Sequence, residues 1–420
     1  MRTIASGAIA LLPLVTGSAM VRALPWARRG PSDRALAVAA AFALGVGVHA
    51  CSTFLWLLAG GRRPAALAAL DLALVAAALA LASVRRAAGG SPSRLDPAAR
   101  LDLRERLALG MLLLGSVAAI GFVFATSRWH PWGEWDAWAI WNLRARFLVR
   151  APGAWELFRT PELEWSQMDY PLLLPGAVAR AWFVAGESDV VPSLLAAGFA
   201  VCGALAAFGL AGAGARTVPA SVAALAVLAS PPYLAVSGFR VADVPLAALL
   251  ASSLGLLAVG ARDGVRGPVL LAGVAAGLAA WTKNEGLLMV VALGTSLLLR
   301  PRLLAPFIAG AAPILLLLAL FKLSIAGPSY LVQGATGSAL LERALDATRH
   351  AAVARGYLAR FLAISAVPLL PVAALLAAGL RLGRPPAWAA LALALVVAGD
   401  YAVYLATPRE LAWQLGRARR

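Results

Sequence analysis

The chain has 420 residues, 61% of them hydrophobic and only 14% charged, with a mean hydropathy of +0.80. Surface and volume scale too unfavourably for a water-soluble chain of this length to hide so much apolar area, which excludes a soluble enzyme or binding module. The formal net charge of +17 would suggest nucleic acid in a soluble domain. Here, however, the arginines stand in short runs between apolar stretches (Arg28 and Arg29, Arg85 and Arg86, Arg300 and Arg302, Arg381 and Arg384), the pattern of orientation signals in membrane proteins, so no nucleic-acid partner is expected.

Apolar stretches of about twenty residues are long enough to cross a bilayer core as helices. They recur at 4–24, 35–59, 65–84, 105–127, 189–212, 217–238, 244–261, 267–282, 286–299, 303–323, 359–380 and 386–406. The expected fold is therefore an all-α polytopic membrane protein with about 12 transmembrane helices. No cleavable signal peptide is expected, because the first stretch lacks a small-residue cleavage pattern. Cys51 and Cys202 both fall inside apolar stretches, which argues against a disulfide framework or a thiolate metal site. Three regions follow: accessory spans over 1–127, an outer loop with interfacial helices over 128–188, and the remaining membrane core over 189–420.

Parity then sorts the loops. If the arginine-rich connections at 85–106, 262–266, 300–302 and 381–384 are cytoplasmic, the polar motifs at 128–188, 239–245, 282–286, 326–357 and 407–411 share the outer face. This requires that 170–186, short and proline-rich with Arg180 in its middle, lie in the interface without crossing. Its cost is that Arg62 and Arg63 also fall outside.

The stretch WHPWGEWDAWAIWNLRARF (129–147) sets Trp129, Trp132, Trp135, Trp138 and Trp141 at three-residue intervals. At 100° per residue, Trp135, Trp138, Trp141, Ala145 and Leu148 form one helical stripe with Asp136 opposite. Indoles favour the membrane–water boundary, so the stripe reads as a mooring that holds Glu134 and Asp136 at headgroup level. An aromatic belt with incidental acids is the bland alternative. Arg144 and Arg146 follow, placed to meet phosphate or to snorkel. SQMDYPLLLP (166–175) adds Asp169 and Tyr170 before a proline turn, giving carboxylates that could serve as a general base or as divalent-metal ligands.

FRVADVP (239–245) places Arg240 and Asp243 at the mouth of a span. In TKNEG (282–286), Lys283, Asn284 and Glu285 interrupt an apolar run, and Gly286 permits a sharp turn. Only two of the 37 basic residues are lysines, Lys283 and Lys322. A compact ammonium kept where arginine is the rule suits a point contact to phosphate. Lys322 reads equally well as a snorkelling residue. Asp71 and Asp400 lie inside spans without nameable partners, and His49, His130 and His350 are scattered.

Together, the acid-bearing outer loop, DYPLLLP, FRVADVP and TKNEG resemble the GT-C superfamily of lipid-linked sugar transferases. The likeness is to family-39-like bacterial members related to protein O-mannosyltransferases, lipid A aminoarabinose transferase and rhizobial lipopolysaccharide sugar transferases, and it covers residues 128–410. The resemblance implies that Asp136, beside Glu134, is the base or metal-contacting acid and that Asp169 stands in a following acid–proline element. It matches Asp243, preceded by Arg240, to the acid after the third core span, and Lys283 with Glu285 to a lysine–acid turn. The chain departs at its end, where LAWQLGRARR puts Gln414 in place of a family histidine.

The implied activity is transfer of a sugar from a polyprenyl-phosphate donor to a glycan, lipid or protein acceptor of the cell envelope, at the periplasmic face of a bacterial plasma membrane. Asp136, Glu134 and Asp169 would be catalytic. Lys283, Arg240 and Arg144 would hold the donor phosphate, with Asp243, Glu285 and Tyr170 in support. A divalent cation, Mg or Mn, on Asp136 and Asp169 is the one cofactor left open. A lipid or anion transporter and an inactive scaffold are the rival readings.

Overall fold

The computed structural model describes residues 2–24, 26–87, 101–151, 153–214, 216–329, 336–359, 362 and 386–407. The span expected at 359–380, the arginines 381 and 384, most of the linker at 85–104 and the terminal element with Gln414 lie outside the described residues.

Every regular element among the described residues is helical, as it must be where no water is present to satisfy a backbone. Four long helices come first: α1 (Arg2–Ala23), α2 (Pro31–Leu58), α3 (Pro64–Ala87) and α4 (Leu103–Trp129). A folded segment follows, with a π-turn over Ala137–Trp141, α5 (Asn142–Arg150), the single turn α6 (Ala154–Leu157) and α7 (Leu173–Ala185). The chain continues with α8 (Val190–Gly212), α9 (Thr217–Leu228), α10 (Pro231–Phe239), α11 (Asp243–Asp263), α12 (Arg266–Ala280), α13 (Asn284–Ser296) and α14 (Pro301–Ser324). It ends with α15 (Gly337–Leu345), α16 (347–359) and α17 (Ala387–Ala406).

Seven of these helices are long and apolar enough to cross a membrane: α2, α3, α4, α8, α11, α14 and α17. The stretch expected as one span over 217–238 is instead two helices, α9 and α10, bent by 56°. Pro231 opens the second helix, where its missing N–H costs nothing. If the bent pair counts as one span there are eight. The remaining apolar helices are shorter: α12 has 15 residues and α13 has 13, so each rises only about 20 Å. The protein is thus multi-pass by length and composition, with fewer full-length spans among the described residues than the apolar runs suggest.

Contacts between elements gather the described loops into two sets. At one end Arg29 pairs with Asp263 at 2.7 Å, and Arg262 pairs with Asp33 at 2.9 Å, tying the start of α2 to the finish of α11. At the other end the polar motifs meet. The Glu134 N–H donates to Phe239 O, Leu173 N–H to Trp281 O, and Lys283 pairs with Asp243.

Arg62, awkward for the charge rule, has a structural task at this second end. Its guanidinium donates to Leu148 O at 2.6 Å and Ala151 O at 2.8 Å, capping the last turn of α5. Removing it leaves two carbonyls without these donors. Arg62→Ala is expected to cost about 1–3 kcal/mol and to speed proteolytic nicking within 150–166, read by limited digestion in detergent.

α7 has 13 residues, fewer than a full-length span needs, and it is not a helix laid on the surface. Nine of its 13 residues are buried, largely against α2 and α5, so it is an internal helix. Gly286 also departs from its expected role. Its φ is not positive, and the turn is made by 281–283. What the glycine supplies is closeness: a Cβ there would stand 2.0 Å from Ala279 O, so α13 can lie directly on the end of α12.

Candidate functional site

The tryptophan array is divided. The expected stripe assumes 100° per residue, but between Ala137 and Trp141 the chain forms a π-turn, and Asn142 N–H donates to Ala137 O five residues back. Trp129, Trp135 and Trp138 remain exposed, as a boundary mooring should be. Trp141 turns into the protein and stacks on Tyr170, with ring centroids 5.6 Å apart and planes within 4°. Trp132 packs edge-on against Trp182 beneath the Arg146 guanidinium.

Arg144 lies under this stack and is fully buried. It donates to Ile140 O at 3.2 Å, Tyr170 O at 2.8 Å and Ser166 O at 3.4 Å, and its guanidinium sits 5.1 Å from the Trp141 ring. Burial pushes its pKa down to about 9, opposed by nearby Asp169 and Tyr170, so it is still charged at neutral pH. This residue was expected to meet phosphate. Its donors are instead spent on backbone carbonyls, and it holds the 166–170 loop onto α5. Ser166 adds a bond to Ala139 O within the π-turn, at 2.6 Å.

Asp169 also faces inward. One carboxylate oxygen accepts from Asn284 Nδ2 at 2.7 Å and lies 3.5 Å from Lys322 Nζ. Lys322 in turn donates to Asn284 Oδ1 at 2.8 Å and to the Asp169 carbonyl. Lys322 is therefore a cross-brace between α14, the 169 loop and α13, where a snorkelling residue was the alternative. An oxygen already taken by an amide and beside an ammonium does not fit a divalent ion. Among the described residues, no three His, Cys, Asp or Glu side chains gather as a metal site.

Below these groups lies an aromatic floor. Trp281 contacts Phe54 at 5.1 Å and Phe321 at 5.7 Å between ring centroids, and Phe158 meets Phe321 edge-on. Trp281 stands two residues before Lys283, and Phe321 one before Lys322.

Lys283 Nζ lies 3.0 Å from Asp243 and 3.2 Å from Glu285, and 5.8 Å from the centre of the Tyr170 ring. Burial works to lower its pKa, but the two carboxylates outweigh it and hold the ammonium well above the ordinary lysine value. Burial, reinforced by Glu285, pushes the Tyr170 phenol up, so it remains a neutral hydroxyl. Ala137, Ile140 and Trp141 share one packed cluster with Leu174, Val241 and Ala242. Asp136 and Asp243 are therefore each one residue away from the same small core. Glu134 lies 3.6 Å from His130 at the exposed rim.

Arg240 is the most unusual of these groups. It is buried, with a left-handed backbone (φ 61°) that aims it away from α10. Nη1 donates to Pro131 O at 2.7 Å and to Ser193 Oγ at 3.0 Å. Nε and Nη2 find no hydrogen-bond partner, and no carboxylate pairs with the residue among the described residues. Trp141 Nε1, lining the same small gap, is likewise unpartnered. Burial outweighs the favourable charge of nearby Asp189 and lowers the pKa of this guanidinium, so the spot favours an anion.

A second polar centre went unread in the sequence. Inside the bundle, Thr16 Oγ1 lies 2.9 Å from His49 Nε2, His49 Nδ1 lies 2.6 Å from Asp71 Oδ1, and Arg180 Nε donates to Asp71 Oδ2 at 2.8 Å. All four residues are buried, on α1, α2, α3 and α7 respectively. The only signal available was three ionisable residues within apolar runs, which implies partners without naming them. His49 and Arg180 also line an apolar cavity of about 480 Å3 between α1, α2, α7 and α8.

Fold and site define a multi-pass helical membrane protein with a carboxylate, ammonium and guanidinium cluster gathered at one end. The chain matches no family model, no curated protein and no solved structure.

Proposed function

We propose that the chain is a membrane glycosyltransferase of GT-C type. It would move a sugar from a polyprenyl-phosphate donor to a cell-envelope acceptor at the outer face of a bacterial plasma membrane. The observation that carries the reading is the meeting, at one end of an apolar bundle, of the Asp136 loop, the Lys283 cluster and a buried Arg240 with unpaired donors.

In this reading the acceptor hydroxyl attacks the anomeric carbon while the bond from that carbon to the lipid phosphate breaks. The phosphate leaves with the electron pair, and Asp136 takes the hydroxyl proton. Arg240 and Lys283 face the leaving phosphate. Lys283 releases Asp243, the more exposed of its two carboxylates, to do so. Asp169, Arg144 and Lys322 are positioning residues, because their polar atoms are committed to holding loops in place.

Membranes containing the protein are expected to transfer radiolabelled sugar from a polyprenyl-phosphate donor, and Asp136→Asn is expected to abolish transfer while the protein level is unchanged. Full transfer by that variant removes Asp136 from the mechanism. The buried His49–Asp71–Arg180 network favours one rival, a transporter, because ionisable groups between helices often line translocation paths. Lipid movement without sugar transfer in the same membranes decides for that rival.

A further inference from the structure

At the end opposite the candidate site, the arginines nearest the finish of α11 and the starts of α12 and α14 divide into two groups. Arg29 and Arg262 are neutralised, by Asp263 at 2.7 Å and by Asp33 at 2.9 Å. Arg266, Arg300 and Arg302 are exposed, and none of them pairs with a carboxylate among the described residues. These three border a cavity of about 1030 Å3 between the finish of α11 and the starts of α12 and α14. The rest of its lining is largely apolar and includes Leu299, Leu303, Pro306 and Ala309.

The helix starts add to the same field. Neither α12 nor α14 has a side-chain N-cap, so their positive dipole ends lie uncapped beside this region. A free phosphate would be served by the arginines alone. The apolar lining beside them suits a molecule whose phosphate continues into hydrocarbon, and the cavity lies at the ends of apolar helices, where headgroups sit.

We propose that this cavity binds the headgroup of an anionic phospholipid, with Arg266, Arg300 and Arg302 around the phosphate and the glycerol and upper acyl chain against Leu299, Leu303 and Pro306. The site is independent of sugar transfer and lies at the opposite end of the fold.

The test uses the full chain in neutral detergent and measures bound lipid by native mass spectrometry during titration with phosphatidylglycerol, phosphatidylcholine or glycerol phosphate. The wild type is expected to bind phosphatidylglycerol at least tenfold tighter than phosphatidylcholine and to ignore glycerol phosphate. Arg266→Gln, Arg300→Gln and Arg302→Gln combined should lose that preference. A control with equal charge removed, Arg85→Gln, Arg86→Gln and Arg216→Gln, should keep it. Equal losses in the two triple variants would mean that the chain's overall charge attracts the lipid, and the proposal fails. It fails also if phosphatidylcholine binds as well, or if glycerol phosphate binds comparably. A circular dichroism melt of each variant confirms that a loss of binding is not a loss of fold.

Discussion

Asp71→Ala is expected to destabilise the protein by about 3–5 kcal/mol, among the largest effects of any single change outside the candidate site. The carboxylate accepts from Arg180 on one oxygen and faces His49 on the other, and both partners are buried. Without it, a guanidinium is left inside the bundle with no counter-charge, and His49 loses the group that orients its ring toward Thr16. The four residues sit where α1 and α2 pass very closely. A Cβ on Gly17 or on Gly45 would stand 1.8 Å from a carbonyl of the facing helix.

The energetic asymmetry supplies a control. Removing one partner strands a charge, whereas removing both replaces a buried pair with apolar surface, which is often neutral. Asp71→Leu combined with Arg180→Leu should therefore be more stable than either single variant, as read by thermal unfolding in detergent. Single variants that each cost less than about 1 kcal/mol would show that the network contributes little to stability.

Several features were legible in the sequence because they depend on local rules. Runs of alanine and leucine predict helices, and the short proline-led 170–186 stretch predicts a helix shorter than a span. The convergence of 136, 169, 243 and 283 on one end also follows from counting spans.

What escaped has a common cause. The π-turn at 137–141 has no reliable composition signal, yet by inserting a residue it turns Trp141 inward and leaves Trp135 and Trp138 outside. Which acceptors Arg144 finds, and which donor Asp169 finds, depends on loop placement, so each reads from sequence as facing substrate when it faces backbone or a neighbouring amide. Asp71, His49 and Arg180 are separated by 22 and 109 positions, and only tertiary packing brings them together. Arg62 broke the charge rule for a local reason, two carbonyls of α5 within reach.

Lys283 tests the functional reading most severely. As a contact to the leaving phosphate it stabilises charge that grows only as the glycosidic bond breaks, and loss of one such contact typically lowers kcat by about 10²–10³, roughly 3–4 kcal/mol. Lys283→Met is therefore expected to reduce transfer by that amount. Arg240→Gln should do the same, and the double variant should fall well short of the product because both act on one phosphate. Steady-state transfer in proteoliposomes separates these outcomes.

The pH dependence fixes the sign. Asp243 and Glu285 raise the Lys283 pKa in the folded protein, so the stability from these pairs is fully present below the ordinary lysine pKa. It is lost only as pH rises through the elevated folded value. Transfer should then show no alkaline limb from Lys283 through mildly basic pH. Asp243→Asn removes one of the two supporting charges, lowers that pKa and brings the limb to lower pH. A phosphate contact requires the ammonium to be charged, so a Lys283→Met variant that keeps full activity, with the alkaline limb unchanged in Asp243→Asn, would leave this lysine a structural tie between α11 and α13.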